Sequence, residues 1–146
     1  VEEISSAVQA LQLRASKYGV RLKLDFDHKV SIIGNPVRFY QVMTNLISNA
    51  IDSYADIERS EKLVIITVSE ANKVITVKIT DNGSGISQKN LSHIFDPFFT
   101  TKDRIDGTGI GLSFSRRLIK DKFGGELVVK SQLGKGSTFA VSIPKK

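Results

Sequence analysis

The sequence has no cysteine among its 146 residues, so it offers neither a disulfide framework nor a thiolate metal site, as is typical of a reducing cytoplasm. No apolar run approaches the roughly 20 residues that span a bilayer, and no signal-peptide pattern opens the chain. The length fits one domain with its own core. Because the chain begins inside a helical pattern at Val1, we expect it to be cut from a longer protein.

The formal net charge is +6, which raises the question of a nucleic-acid or acidic-lipid partner. However, the lysines and arginines are scattered, and no aromatic residues alternate with them in a stacking surface. We therefore expect no nucleic-acid partner and no direct membrane contact. Attraction to a polyphosphate or to an acidic partner protein fits this charge better.

Hydrophobic periodicity predicts an α+β fold, a two-layer α/β sandwich in which three main helices cover one face of a mixed sheet of about five strands. Helices are predicted over 1–17, 36–56 and 110–123, with a short one over 89–94. Strand candidates lie at 20–26, 30–33, 63–70, 74–81, 126–131 and 138–143. The long irregular stretch from 82 to 109 predicts a functional lid, because passive connections are shorter.

Asp81 ends a predicted strand and shares its inward face with Ile75 and Ile79 by simple alternation. A buried carboxylate needs hydrogen-bond donors. Gly83 and Gly85 leave room for a planar ring, and the exocyclic amine of adenine is a suitable donor, whereas guanine presents a carbonyl there. The alternative is a strand-end aspartate that turns to solvent.

Three polar side chains, Asn45, Asn49 and Asp52, are spaced by four and three residues and so share one stripe of the second helix. The alternative is the solvated side of an amphipathic helix. Asparagine is a poor helix former, however, and two of them lie inside this helix. Amide and carboxylate oxygens suit Mg²⁺ that is shared with phosphates, which favours a metal and phosphate role.

A glycine-rich segment precedes the third helix, with the sequence Gly107-Thr108-Gly109-Ile110-Gly111-Leu112-Ser113. Closely spaced glycines let backbone N–H groups approach phosphate oxygens, and the helix N-terminus favours an anion. It is not a P-loop, since no GxxxxGK[ST] occurs in the chain. The alternative is a flexible turn.

The irregular stretch also contains three phenylalanines, Phe95, Phe98 and Phe99, followed by Lys102. Exposed aromatic residues in a loop normally dock somewhere. They either form a satellite cluster that pins the loop to the domain, or set the position of a lid from which Lys102 reaches the γ-phosphate. Both can hold at once.

Five motifs in this order resemble those of the catalytic domain of bacterial sensor histidine kinases, in the superfamily that includes type II topoisomerases, heat-shock chaperones and mismatch-repair ATPases. They are an N box at 41–53 (QVMTNLISNAIDS), a first glycine box at 81–86 (DNGSGI), an F box at 95–102 (FDPFFTTK), a second glycine box at 107–113 (GTGIGLS) and a glycine–threonine motif at 134–139 (GKGSTF). Each motif alone is weak, but five in sequence are highly specific.

The resemblance implies the Bergerat nucleotide-binding fold, with ATP between the N-box helix and a mobile lid at about 87–108. It implies that Asn49 binds Mg²⁺, with Asn45 beside the metal and the phosphates, and that both act in catalysis together with Lys102. The resemblance also implies that Asp81 binds the adenine amine. The other residues expected around the nucleotide are Asp52, Ser53, Gly83, Gly85, Ile86, Phe95, Thr101, Lys102, Gly107, Thr108, Gly109, Ile110, Gly111, Leu112 and Thr138.

Three positions qualify this expectation. ATP-hydrolysing relatives carry a general-base glutamate where this chain has Asn45, and an amide cannot take a proton from water, which favours phosphoryl transfer. Many histidine kinases carry lysine at the position of Asp52; aspartate there resembles the nitrogen-regulation and dicarboxylate-sensor branch. Thr138, expected to hold adenine through water, alternates with Phe139 and so falls on the opposite face of its strand.

A histidine kinase needs a phosphoacceptor histidine on a helical hairpin, and neither His28 nor His93 has the acidic and proline context of that motif. We therefore expect the acceptor upstream of Val1, in a homodimeric, membrane-anchored bacterial sensor whose response regulator receives the phosphoryl group. The alternatives are an anti-sigma-type protein serine kinase and a non-catalytic ATP sensor of the same fold.

Overall fold

The computed structural model describes residues 2–26, 30–54, 57–96 and 111–145. Strands and helices alternate irregularly along the chain, as expected for an α+β domain. The helices are α1 (Glu2–Lys17), α2 (Pro36–Asp52), α3 (Gln88–Leu91) and α4 (Gly111–Phe123). The strands are β1 (Val20–Phe26), β2 (Lys62–Ala71), β3 (Val74–Asp81), β4 (Glu126–Gln132) and β5 (Gly136–Pro144).

The five strands form one mixed sheet in the order β1-β2-β3-β5-β4. β1 pairs with β2 in parallel, and the other three pairs are antiparallel. The β2–β3 hairpin turns at Asn72 and Lys73, whose φ angles are 53° and 63°, the conformation that a two-residue hairpin loop requires. The predicted mixed sheet of about five strands is confirmed.

One face of the sheet is apolar and lies under the helices. Opposing residues of β2, β3 and β5 on that face, such as Ile66, Ile79 and Phe139, are each at most 1% exposed. Helix α2 packs against β2 and β3, α1 packs against α2 and β1, and α4 packs against α2, β4 and β5. The predicted two-layer arrangement, with the main helices on one face, is therefore observed.

Helix α2 is the element that carries the polar stripe, and its start agrees with the sequence. The side chain of Asn35 accepts hydrogen bonds from the N–H groups of Val37 at 2.9 Å and Arg38 at 3.3 Å, as an N-cap does. The helix ends at Asp52, before the predicted residue 56, because the Ser53 hydroxyl donates to the Ala50 carbonyl at 2.6 Å and closes the last turn.

Two other predictions are corrected. Residues 30–33 do not form a strand; Val30 is buried but Ile33 is 67% exposed. Gly34 then passes so close to the Phe123 ring that a Cβ atom would clash, so the segment packs onto α4 instead of joining the sheet. The short helix α3 lies at Gln88–Leu91 rather than 89–94, because Ser87 caps it by accepting from the Asn90 N–H at 3.2 Å.

No helix of the described part of the chain is both long and apolar enough to cross a membrane.

Candidate functional site

Asp81 lies at the end of β3 on the apolar face, and it is 6% exposed. Its neighbours across the sheet are Val64 on β2 and Ser137 on β5. One carboxylate oxygen accepts the Gly83 N–H at 2.9 Å. The burial that alternation predicts is therefore observed, and the alternative of a solvent-facing aspartate is excluded.

A buried tyrosine supports the turn that follows Asp81. Tyr54, just beyond α2, is 1% exposed; its hydroxyl lies 2.8 Å from the Leu63 carbonyl and accepts the Asn82 N–H at 2.8 Å. The Asn82 side chain contacts the same hydroxyl and donates to the Glu61 carbonyl at 2.9 Å. Sequence patterns gave no signal for Tyr54 beyond an apolar helix position.

The electrostatics of this corner follow from its burial. Loss of solvent raises the pKa of Tyr54 to about 12, against the opposing effect of the hydrogen bond with the Asn82 backbone. The nearby Asp81 carboxylate raises that pKa further. At neutral pH the hydroxyl is therefore protonated and acts as a fixed dipole beside the carboxylate.

The first two predicted glycines have a packing role. A Cβ atom at Gly83 would clash with the side chain of Ser53, and one at Gly85, whose φ is 71°, would clash with the Gln132 carbonyl. In addition, the Ser84 N–H donates to the Ser53 carbonyl at 3.2 Å. The glycines thus let the turn after β3 sit tightly between α2 and the β4–β5 turn, and their place along an adenine ring stays a prediction.

Asn45 lies on α2 facing the start of α4. Its side-chain amide donates to the hydroxyl of Ser115 at 3.2 Å, and Ser115 is fully buried. Gly111, the first residue of α4, lies so near that a Cβ atom would be 3.7 Å from the Asn45 side chain. Half-buried Asn49 follows one turn later on α2. Asn45 therefore lies beside the first turn of α4, an end of a helix where positive potential favours anions.

Asp52 has a partner other than the expected nucleotide. Its carboxylate is 5% exposed and pairs with Arg14 of α1, with a distance of 2.5 Å between Oδ1 and Nη2. The other guanidinium nitrogen, Nη1, donates to Ser48 at 2.6 Å, one helical turn earlier on α2. Because the carboxylate is directed to α1, the expected nucleotide contact of Asp52 is not supported.

Thr138 lies on the outer face of the sheet, where its hydroxyl donates to that of Thr80 at 3.3 Å. The residue beside Asp81 on the inner face is Ser137, which is 6% exposed and hydrogen-bonded to Ser131 at 2.7 Å between the hydroxyl oxygens. Sequence reasoning missed Ser137, although the alternation that places Thr138 outside also places Ser137 inside.

Three further residues expected around the nucleotide border this region. The Ile86 N–H donates to the Ser131 hydroxyl at 2.7 Å. The Phe95 ring lies 4.6 Å from the Arg116 guanidinium, a cation–π contact that joins the F-box segment to α4. Ile86, Phe95 and Leu112 are partly buried against the core, which agrees with docking of the first phenylalanine onto the domain.

Several predicted residues lie outside the described ranges. Half of the predicted lid, His28 and most of the second glycine box belong to this group. The individual site residues concerned are Thr101, Lys102, Gly107, Thr108, Gly109 and Ile110. Their roles therefore stay predictions.

The donor set fits Mg²⁺ held jointly with a nucleotide. Nowhere in residues 2–26, 30–54, 57–96 and 111–145 do three or more His, Asp or Glu side chains form a cluster that could hold a metal ion. An amide oxygen such as that of Asn49, together with water and phosphate oxygens, is a combination of ligands that Mg²⁺ accepts.

Comparison with known proteins agrees with this geometry. Residues 34–146 match the family model described as Histidine kinase-, DNA gyrase B-, and HSP90-like ATPase. The chain is 33% identical over 142 residues to the sensor histidine kinase ZraS of Escherichia coli K12, and 35% identical over 141 residues to the C4-dicarboxylate transport sensor protein DctB of Rhizobium meliloti. These matches cover 97% and 93% of this chain but only 29% and 22% of the two relatives.

A solved histidine kinase structure has a similar fold. The nucleotide-free catalytic domain of histidine kinase ThkA superposes with a TM-score of 0.82 at 28% sequence identity, and the match covers 99% of this chain and 91% of that domain. The fold, the family motifs and the sensor-kinase relatives therefore agree along nearly the whole chain.

Proposed function

The chain belongs to the family of histidine kinase-, DNA gyrase B- and HSP90-like ATPases and is a catalytic ATP-binding domain of the sensor histidine kinase type, and we propose that it transfers the γ-phosphate of ATP to a histidine on a separate helical-hairpin domain. One observation carries the nucleotide part of this proposal. A buried carboxylate, Asp81, is held at the end of a strand beside a glycine turn.

Adenine fits this carboxylate because its exocyclic amine donates a hydrogen bond, whereas guanine would place a carbonyl oxygen against a negative charge. A hydrogen bond to a charged group contributes about 1.5 to 3 kcal/mol. The Gly83 N–H already holds one oxygen of Asp81, so the carboxylate is oriented before the base arrives. Asp81 therefore selects the base.

The phosphates belong at the other end, near Asn45, Asn49 and the first turn of α4. Bound Mg²⁺ would neutralise charge on the phosphate oxygens. Asn49 would hold the metal and Asn45 would lie beside it, while backbone N–H groups from the second glycine box bind the phosphates. Lys102 would reach the γ-phosphate from the lid.

Asn45 also bears on the choice between transfer and hydrolysis. Its amide donates to Ser115 and cannot accept a proton from water. Without a general base at that position, the incoming histidine imidazole is the favoured nucleophile, and it attacks the γ-phosphorus in line with the leaving ADP oxygen. Autophosphorylation is then the productive reaction.

The partners follow from the same reaction class. The phosphoacceptor hairpin would come from the longer parent protein, since this chain spans less than a third of the length of the curated relatives described above. That parent protein would be a homodimer. A response regulator would receive the phosphoryl group. ThkA, whose structure is also described in complex with the response regulator protein TrrA, matches this chain at 25% identity with a TM-score of 0.79. Such a parent protein would be a bacterial membrane-anchored sensor with this domain in the cytoplasm.

The test is to mix this chain with [γ-³²P]ATP, Mg²⁺ and the helical hairpin of its parent protein. Acid-labile, base-stable label on a hairpin histidine is the expected result. Label on serine would instead indicate an anti-sigma-type kinase, and ATP binding without transfer would indicate a non-catalytic sensor.

A further inference from the structure

Arg59, in the connection between α2 and β2, binds the turn that follows Asp81. Its Nε donates to the Asn82 carbonyl at 2.9 Å, and its Nη2 donates to the Gly83 carbonyl at 3.2 Å. The arginine is half-buried, so these bonds are partly shielded from water. No family motif described above includes this position.

The contact with Asn82 reaches Asp81 through a single peptide group. The carbonyl that accepts from Arg59 and the N–H of Gly83 belong to the same peptide unit, and that N–H donates to the Asp81 carboxylate at 2.9 Å. A cation at the oxygen end polarises the peptide and strengthens its N–H as a donor. Arg59 and Asp81 therefore act on opposite ends of one dipole.

The same guanidinium also forms a hydrogen bond with the β4–β5 turn. Nη2 donates to the Gly134 carbonyl at 2.7 Å, and the Gly134 N–H donates to the Ser84 carbonyl at 2.7 Å. A planar fork can bind several carbonyls from one fixed position, which a lysine ammonium on a flexible stem does less well. The two turns that border Asp81 are thus held together by one side chain.

We infer that Arg59 is a positioning residue for the adenine site, which orients the Asp81 carboxylate through the Asn82–Gly83 peptide and so sets the affinity for ATP. The inference rests on the proposed function, because it presupposes that Asp81 binds the base. A purely structural role would lower the stability of the domain without moving Asp81. In a folded Arg59 variant, loss of a positioning role changes both the Gly83 N–H and the affinity for ATP. Loss of a purely structural role leaves both unchanged.

The experiment compares Arg59→Ala, Arg59→Lys and the control Arg21→Ala in the full 146-residue chain. Arg21→Ala removes the same charge from a side chain that is 73% exposed and lies 3.5 Å from Glu61. Calorimetric titration gives the dissociation constant for Mg-ATP. An ¹⁵N NMR spectrum without nucleotide shows whether each variant is folded and reports the Gly83 amide proton.

We expect Arg59→Ala to weaken Mg-ATP binding about tenfold and to move the Gly83 amide proton upfield, since losing a charge-assisted bond has effects of this order. Arg59→Lys restores part of the affinity, leaving a loss of about threefold. Arg21→Ala stays within about twofold of the original chain. If Arg59→Ala does not fold, Arg59→Lys carries the same comparison.

An unchanged affinity in a folded Arg59 variant overturns the inference. A weaker affinity with an unmoved Gly83 amide proton overturns it too, because Arg59 would then act elsewhere. Failure of the proposed function has a different signature, since the original chain would itself not bind Mg-ATP.

Discussion

The two ends of the proposed nucleotide site are built in different ways. At the base end, defined by Asp81, Asn82 and Tyr54, backbone and side-chain hydrogen bonds hold the carboxylate in a buried corner. At the phosphate end, defined by Asn45, Asn49 and the start of α4, a bond from Asn45 to Ser115 joins two helices and the amides stay half-buried.

We infer from this difference that the two ends have different functions in nucleotide binding. A group that is already oriented binds its ligand with little further ordering, which favours affinity and selectivity. The base end meets this condition before ATP arrives. In the proposed function, the amides of the phosphate end act only together with Mg²⁺ and phosphate oxygens, which arrive with ATP. Base choice and metal dependence should therefore be separable by substitution.

The largest expected effect concerns Asp52, whose carboxylate pairs with Arg14 of α1. Arg14→Ala leaves a carboxylate that is 5% exposed without the arginine, and breaking such a pair costs about 3 kcal/mol of unfolding free energy. Urea unfolding measures the loss. Affinity for Mg-ATP, measured where the variant is folded, should stay within about twofold, because Arg14 holds the Asp52 carboxylate toward α1.

The exposed Arg21→Ala substitution is the stability control. A large, specific loss of ATP affinity in folded Arg14→Ala would show that Asp52 acts at the phosphate end.

The next largest effect is expected for Asp81→Asn, which removes the negative charge at the base end. Losing the negative acceptor should weaken ATP binding by about 1.5 to 3 kcal/mol, or roughly 10- to 100-fold, both with Mg²⁺ and with EDTA. Calorimetric titration measures both conditions. Asp25→Asn, at an exposed position of β1, is the matched control. A loss confined to Mg²⁺ conditions would mean that Asp81 serves the metal.

Tyr54 allows a pH test of the base end. Its pKa of about 12 lies above the ordinary value of 10, so the folded state favours the protonated hydroxyl. That contribution is complete below pH 10 and is lost as the pH rises through 12. Between these values the original chain should lose about 2 kcal/mol more unfolding free energy than Tyr54→Phe does.

Urea unfolding at pH 9 to 12 measures this difference. Tyr18→Phe, which removes a hydroxyl from a residue that is 37% exposed, should retain the full pH dependence. If the unfolding free energy of Tyr54→Phe fell with pH as steeply as that of the original chain, the buried, protonated hydroxyl would be contradicted.

The smallest effect is expected at the phosphate end. Asn49→Ala removes the amide proposed to bind Mg²⁺ and should weaken Mg-ATP binding by about 1 kcal/mol, while binding in EDTA stays unchanged. Titrating both chains with and without Mg²⁺ gives the comparison, and the EDTA arm is the internal control. A loss that persists in EDTA would show that Asn49 binds the nucleotide without the metal.

The elements that sequence reasoning placed correctly depend on local pattern. Alternation along β3 predicts the buried position of Asp81, and the helix predicted from residue 36 begins there as α2. The missed partners depend on tertiary packing. Nothing in α2 alone indicates that Asp52 meets Arg14, because that contact requires the position of α1.

The strand predicted at residues 30–33 is wrong for a different reason. Residues 30–33 have a strand-like composition, but Gly34 must approach Phe123 closely, which diverts the segment from the sheet. The family resemblance places Thr138 at the nucleotide, and that role stays a prediction. The residue beside Asp81 on the inner face of the sheet is its neighbour Ser137.

The most direct measurement is the thermal unfolding of this chain with Mg-ATP, Mg-GTP or nucleotide plus EDTA. With Mg-ATP near 100 times its dissociation constant, the melting temperature should rise by about 5 to 10 °C. Mg-GTP at the same concentration should have little effect, because guanine places a carbonyl against Asp81. An equal rise with Mg-GTP, or none with Mg-ATP, would contradict the assignment of Asp81 to adenine.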